Sequence, residues 1–345
     1  MSVVLHVDLD ALAANLAEIR RRVAPALHML VVKDDAYGHG LEPVVQRAWT
    51  EGVKWFGAFD VRTGYIVRAA LGPEARIFVW MVGSIDEVRD ALDEDLDIGV
   101  GDVGLLEDIA TARRPAAARV HLKIDTGLHR NGVRPEEWPA FVARAAQLEH
   151  DGAIEVVGVW SHIAEASEAD DDDARDAFDA ALSVARDAGL RPSMRHLAAS
   201  AAAFDRPEFR YDAVRVGAFA YGIRPAGGPD ETALGIRPIA RLSASVIETD
   251  PVVRIDATSL HGLPSSLGGR VTLGSPSGPR RLIALDTTGG SIEGEGASLV
   301  GEEITVYGPS GDGAGSATTL AEAVGTIGEE IALRLSPLVP RVYSD

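Results

Sequence analysis

The chain has 345 residues, 33 basic against 52 acidic side chains, a formal net charge of −19 and no cysteine. That charge repels polyphosphate and anionic lipid, so no nucleic acid and no membrane partner is expected, although one local pocket for a single phosphate stays open. Lack of cysteine excludes disulfides, thiolate metal sites and cysteine nucleophiles, and no metal site is expected.

In chain order the first element is VVLHVDL, a strand that precedes the main pattern and suits pairing with the far end of the chain. Its opening lacks a basic region followed by an apolar one, and no apolar run reaches membrane-spanning length, so a cytoplasmic protein is expected. From Leu27 to Val216, short apolar runs alternate with helical periodicity. The strand candidates are 27–32, 55–59, 76–80, 97–100, 119–124, 154–160, 194–198 and 213–217. Helical spacing covers Leu41 to Glu51, Asp86 to Leu92, Glu136 to Leu148 and Asp171 to Ala188. The acidic run EASEADDDDARDAF suits a loop and a helix N-terminus, or simply a solvated charged surface. Eight strands with crossovers of this length predict an α/β fold, a parallel (β/α)8 TIM barrel, with an open doubly wound sheet as the competing arrangement.

After Ile223 the texture changes. RPAGGPDETALG reads as a linker, and ARLSASVIE, PRRLIAL and EEITVY read as strands of a smaller, mainly β C-terminal domain. The expected domains are a barrel over 8–225 and a β domain over 226–345 that takes in the strand 1–7.

The chemistry-bearing residues fall at strand ends. VVKDDAYGHG places Lys33 just beyond an apolar strand, with Tyr37 and two glycines behind it. A lysine at a barrel mouth can form a Schiff base with an aldehyde if burial and neighbouring cations free its amine. A lone lysine after a strand is more often a solvated loop residue. Here, however, HLKIDTGLHRNG adds Lys123, Asp125 and Arg130, GVWSH adds His162, HLAAS adds Ser200, and DAVRVGAFAYG adds Arg215, Gly217 and Ala218. Five strands thus deliver polar groups to one rim, which is the pattern of a barrel active site. Plainer readings stand beside this one: Arg130 in a surface ion pair, His162 as a core group, Asp125 and Thr126 turning the chain. For Asp125 the turn role is preferred.

On VVKDDAYGHG, the KxDTG element, DAVRVGAFAYG and the C-terminal VGTIGEEIALRLSPLVPRVY, the chain resembles the alanine racemases, which join an N-terminal barrel to a C-terminal β domain. The resemblance implies pyridoxal 5′-phosphate on Lys33, which also serves as one catalytic base. It implies phosphate contacts from Tyr37, Ser200, Gly217 and Ala218, His162 beside the cofactor ring, and Arg215 at the pyridine nitrogen. An arginine keeps that nitrogen unprotonated and tempers the ring as an electron sink, as racemisation requires. Arg130 takes the place of the substrate-side, catalytic arginine, and Lys123 that of a lysine that can become carbamylated beside it. The implied activity is racemisation of a small amino acid, L- to D-alanine, by a homodimer whose subunits complete each other's sites. The alternative is a cofactor-binding homologue without racemase activity. Relatives carry a second-base tyrosine in the β domain, whereas no tyrosine occurs here between Tyr221 and Tyr307 and no methionine after Met194. Pro337 stands where some relatives place a phosphate-contacting tyrosine, and FDVRTGYIVRAALG lacks an acidic residue usual at that helix start. His261, in ATSLHGLP, is the titratable candidate to replace the missing base.

Overall fold

The structure is a computed structural model and describes residues 3–112, 116–165, 167–294, 299–309, 311 and 313–345. Met1 and Ser2 of the expected first strand segment, and Ala166 of the acidic run, lie outside the described residues. The chain divides into two compact units, residues 19–33 with 52–217, and residues 1–18, 34–51 and 218–345.

After β1 (Val4–Asp8) come β2 (Leu27–Val31), β3 (Trp55–Asp60), β4 (Arg76–Met81), β5 (Asp97–Val100), β6 (Ala118–Lys123), β7 (Ile154–Trp160), β8 (Met194–His196) and β9 (Ala213–Val216). Strands β2 to β9 close into a parallel barrel, β9 returning to β2 with Met29 opposite Arg215. The fold is the expected (β/α)8 barrel followed by a mainly β domain. These strands read as continuous apolar runs because both faces are covered; β5 and β9 are buried at every residue. The barrel interior holds Met29, Phe78, Trp160, Met194 and Ala213. Two expected strands end early: β8 stops at His196 and β9 at Val216, where the chain turns toward the rim.

Several helices start on side-chain caps. Asp60 accepts from the Thr63 N–H at 2.7 Å and caps the helix Val61–Leu71, whose own first turn carries no acidic residue, as read from the sequence. Ser167 caps Glu168–Asp187, whose first turn carries Glu168, Asp170 and Asp171. The acidic run is a helix start and, among the described residues, largely a solvated charged surface, as both expected readings had it; Asp172 pairs with Arg206 at 2.5 Å.

The second unit is built on β10 (Ala240–Glu248), β11 (Val253–Ile255), β12 (Thr272–Leu273), β13 (Arg280–Leu285), β14 (Gly290–Ile292), β15 (Glu303–Tyr307) and β16 (Arg341–Ser344). The sheet order is β12-β13-β14-β11-β10-β1-β16, with β15 also on β10. The first strand thus joins the C-terminal sheet, antiparallel to β10 and parallel to β16. The glycine- and proline-rich segment is more ordered than a linker: it forms a short helix Glu231–Leu234 capped by Asp230, and Arg224 pairs with Glu322 at 2.6 Å.

Candidate active site

In the barrel unit the rim is a concentration of cations. Lys33 follows β2 and is half-buried. Lys123 ends β6, is 4% exposed, lies 4.5 Å over the Trp160 ring and donates from Nζ to Asn131 Oδ1. Burial, then the Arg215 and Arg130 charges, pushes its amine down to about 7, against an opposing pull from Asp125. Arg130 is exposed and makes no ion pair among the described residues, so the surface-salt-bridge reading of it has no partner here. A cavity of about 380 Å³ opens beside Lys123, lined by Asp60, Trp80, Asp102, Asn131 and Trp160.

Arg215 on β9 is 5% exposed and is held from two sides. Its Nη1 donates to His196 Nδ1 at 3.0 Å and His196 O at 2.9 Å; the two hydrogens of its Nη2 are shared among Ser161 O at 2.7 Å, Leu197 O at 3.0 Å and His162 Nδ1 at 3.2 Å. Among the described residues Nε has no acceptor, which leaves one N–H uncommitted on a buried guanidinium. Burial and then the Arg130 charge push the group down to about 9, so it remains a cation at neutral pH. His162 is kept neutral, its pKa driven well down by burial first and then by Arg215, Arg130, Lys123 and Lys33. With Nδ1 accepting from Arg215, the proton of His162 sits on Nε2.

Asp125 has the structural role preferred from sequence. It accepts from the backbone of Gly127 (3.1 Å) and His129 (3.0 Å) and from His129 Nδ1 (2.9 Å), folding the loop back under Lys123. Thr126 bonds Ser161 Oγ at 2.8 Å. Gly132 makes the return possible: its φ is +115°, and a Cβ there would stand 2.9 Å from the Asp125 nitrogen. Ser200 opens the helix Ser200–Asp205, and Gly217 follows β9 as a buried residue.

In the other unit, the residues after Lys33 adopt an unusual backbone. Asp34, Asp35, Ala36 and Tyr37 have φ between 53° and 56°, one turn of left-handed helix, at a cost of roughly 1–2 kcal/mol per residue. The turn is held by its own surroundings. Gly40 N–H donates to Asp35 O at 3.0 Å, Leu41 N–H to Asp35 Oδ1 at 2.8 Å, and Arg341 Nε to Gly38 O at 3.3 Å. Ala36 and Tyr37 are buried, the Tyr37 ring 4.8 Å from that of Tyr221. Tyr343 lies against Gly40, where a Cβ would collide with its hydroxyl. Ala218 opens the short 3-10 turn Ala218–Tyr221.

His261 is spoken for in part. Its Nδ1 accepts from the Thr258 N–H at 3.0 Å and lies 2.9 Å from the Thr258 hydroxyl, capping the turn Ser259–His261. Of the residues picked from sequence, the structure brings Lys33, Lys123, Arg130 and Arg215 within electrostatic reach of His162. Sequence reading missed Asn131, whose signal was its place next to Arg130 in HRNG, and His196, hidden in RHLAAS.

Residues 7–225 match the family model of the alanine racemase N-terminal domain. An alanine racemase of Thermobifida fusca (strain YX) is 36% identical over 367 aligned residues, covering 98% of this chain and 97% of that protein. One of Beutenbergia cavernae is 34% identical, covering 98% and 96%. Among solved structures, alanine racemase from D-cycloserine producing Streptomyces lavendulae matches with a TM-score of 0.95 at 32% identity, covering 100% of this chain and 97% of that one. Alanine racemase from Streptomyces coelicolor A3(2) matches with a TM-score of 0.94 at 30% identity, covering 100% and 98%.

Proposed function

We propose, given that this chain belongs to the alanine racemase family, that it is a pyridoxal-phosphate-dependent racemase interconverting L- and D-alanine. The single observation that carries the chemistry is Arg215: five acceptors fix its two Nη groups, and its Nε N–H is left over beside a neutral His162. That donor set fits an unprotonated ring nitrogen, since a guanidinium has no proton to give up and can only donate. Pyridoxal phosphate, when bound, supplies an electron sink that acidifies the α-carbon of an amino acid joined to it.

Lys33 holds the cofactor and carries a proton to and from one face of the substrate's α-carbon. Arg215 lends its Nε donor without yielding charge, which limits the sink and favours return of the proton. Tyr37 and Ser200, with the backbone N–H groups of Gly217 and Ala218, grip the phosphate. Arg130 faces the substrate carboxylate, oriented by Lys123; an amine with a pKa of about 7 is partly free base at neutral pH and suited to carbamylation. The barrel domain is 8–225 and the β domain 226–345 with 1–7, acting as a cytoplasmic homodimer. Among the described residues no helix is long and apolar enough to cross a membrane.

No tyrosine lies between Tyr221 and Tyr307, so the second proton carrier is not the family's phenol. Loss of one general acid–base group typically costs about 10²–10⁴-fold, and slow racemisation is the expected rate class. Purified protein given pyridoxal phosphate should show the visible absorbance of a lysine-joined cofactor and form D-alanine from L-alanine. Lys33→Ala should lose both. Undiminished D-alanine production in that variant overturns the assignment.

A further inference from the structure

Arg215 is the near end of a buried polar chain that crosses the barrel core. His196 Nε2 lies 2.9 Å from His121 Nδ1, and His121 Nε2 lies 3.3 Å from Asp97 Oδ2. Asp97 also accepts from Arg119 Nε at 2.6 Å and Arg76 Nη2 at 2.6 Å. His121, His196 and Asp97 are all 0% exposed. Four strands, β5, β6, β8 and β9, each contribute one member.

The two ends decide where every proton lies. A guanidinium can only donate and an ionised carboxylate can only accept. Asp97 is ionised: burial pushes its carboxyl up, but the His121 hydrogen bond and the Arg119 and Arg76 charges outweigh this and hold it at about 2. His121 must therefore donate from Nε2, which makes its Nδ1 an acceptor for His196 Nε2–H. His196 then accepts from Arg215 at Nδ1, and both imidazoles are neutral Nε2–H tautomers. A proton added to either ring would set two donors face to face. Burial first, and then the Arg215 charge, drives the His196 pKa well down in the same sense.

The surrounding packing is cut to this chain. Gly158 on β7 has no side chain where a Cβ would stand 2.1 Å from His121 Nδ1. The His196 ring stacks on Trp160 at 5.7 Å and 2°, and Phe78 meets both imidazoles at 4.7 and 5.4 Å. The charged and titratable groups around it are Arg76, Asp97 and Arg119 at one end and Lys123, Arg130, His162 and Arg215 at the other.

We propose that Asp97, His121 and His196 are positioning residues, a one-directional hydrogen-bond chain that fixes the Arg215 guanidinium so that Nε alone is left for the site. Its use in catalysis rests on the racemase reading above; the chain itself does not. The test is long-range nitrogen–proton NMR of the full protein with labelled histidine, without cofactor, the two signals assigned by His121→Phe and His196→Asn. Both rings should show the Nε2–H pattern at neutral pH, and His196, whose pKa burial drives well down, should keep it across the range where a free histidine titrates, about pH 5 to 8. An Nδ1–H form of either ring, or titration of His196 in that range, overturns the proposal.

The second readout is turnover. His121→Phe should lower kcat by about ten- to a hundred-fold, the range for a group that orients a functional residue through a hydrogen bond, with KM and cofactor affinity little changed. A folded His121→Phe protein with wild-type kcat also overturns it. Should that variant not fold, the tautomers of the wild-type protein decide. If the wild type forms no D-alanine while both tautomers are as stated, the racemase reading falls and the chain stands.

Discussion

At Lys123 opposing forces act on one ammonium group: burial and two neighbouring guanidiniums disfavour it, while the Asp125 carboxylate, the face of the Trp160 ring and the Asn131 Oδ1 acceptor favour it. Desolvation and like charge win, and the amine is expected to titrate at about 7. Reductive methylation with labelled carbon gives each lysine its own NMR signal. The Lys123 signal, identified by its loss in Lys123→Met, should titrate about 3 units below the ordinary lysine value of about 10.4. Between those two values the folded protein binds fewer protons here than the unfolded chain does, so this group makes stability rise with pH through that window, and Lys123→Met removes the slope. A Lys123 signal that titrates with the remaining lysines contradicts the burial argument. The residue itself was legible in sequence, because a strand followed by KIDTG places it at a barrel mouth. Its partner Asn131 was not, since the loop that returns Asn131 to Lys123 depends on Asp125 gathering the His129 backbone and on the φ of Gly132.

The turn Asp34–Tyr37 shows how an element departs from what its residues suggest. Asp34 and Asp35 belong to a residue type that visits positive φ with some ease, but nothing marks it at Ala36 and Tyr37, which bear its full cost. The turn exists because the groups around it satisfy its backbone, and Asp35 is central: its carbonyl accepts from Gly40 and its carboxylate from Leu41, the first residue of the helix Leu41–Thr50. That helix has no cap from its own N-cap residue, Gly40, so the Asp35 carboxylate substitutes, with the helix dipole in its favour. Asp35→Ala should cost about 1 kcal/mol for the lost N-cap acceptor and more for an alanine at positive φ, and Asp35→Asn, which keeps an acceptor and tolerates that φ, only a fraction of that. Denaturant unfolding of the two variants measures it, and equal losses would assign the effect to something other than the hydrogen bond. The barrel strands, by contrast, were read within a residue or two, because burial on both faces writes them as unbroken apolar runs. Contacts such as His121 with His196, 75 residues apart, have no local signature and arise only when the barrel closes.

For the molecule as a whole, acid is the informative stress. Lowering the pH relieves the repulsion of a net charge of −19, but that charge is spread over a surface where screening acts within about 8 Å at physiological ionic strength, so the relief is weak. Buried histidines act against it more strongly. Burial holds His28 in the barrel unit and His39 in the sheet unit at about 4, well below the ordinary 6.5. Between those values the unfolded chain takes up protons that the folded one refuses, so stability falls as pH drops from about 6.5 to about 4, by on the order of 3 kcal/mol for each group. Asp97 adds a second, lower window: its folded pKa of about 2 lies under the ordinary 3.8, so the stability it contributes is complete above 3.8 and is lost as pH falls through 2. The expected result is a Tm that starts to decline near pH 6.5, before most carboxylates titrate, and declines further below about pH 4. His28→Phe, which fills the site with a ring that takes up no proton, should reduce the slope between about pH 4 and 6.5 by close to one proton and leave the lower window in place. A Tm that stays flat down to about pH 4 in the wild type would mean that both imidazoles reach water and charge freely in the folded state.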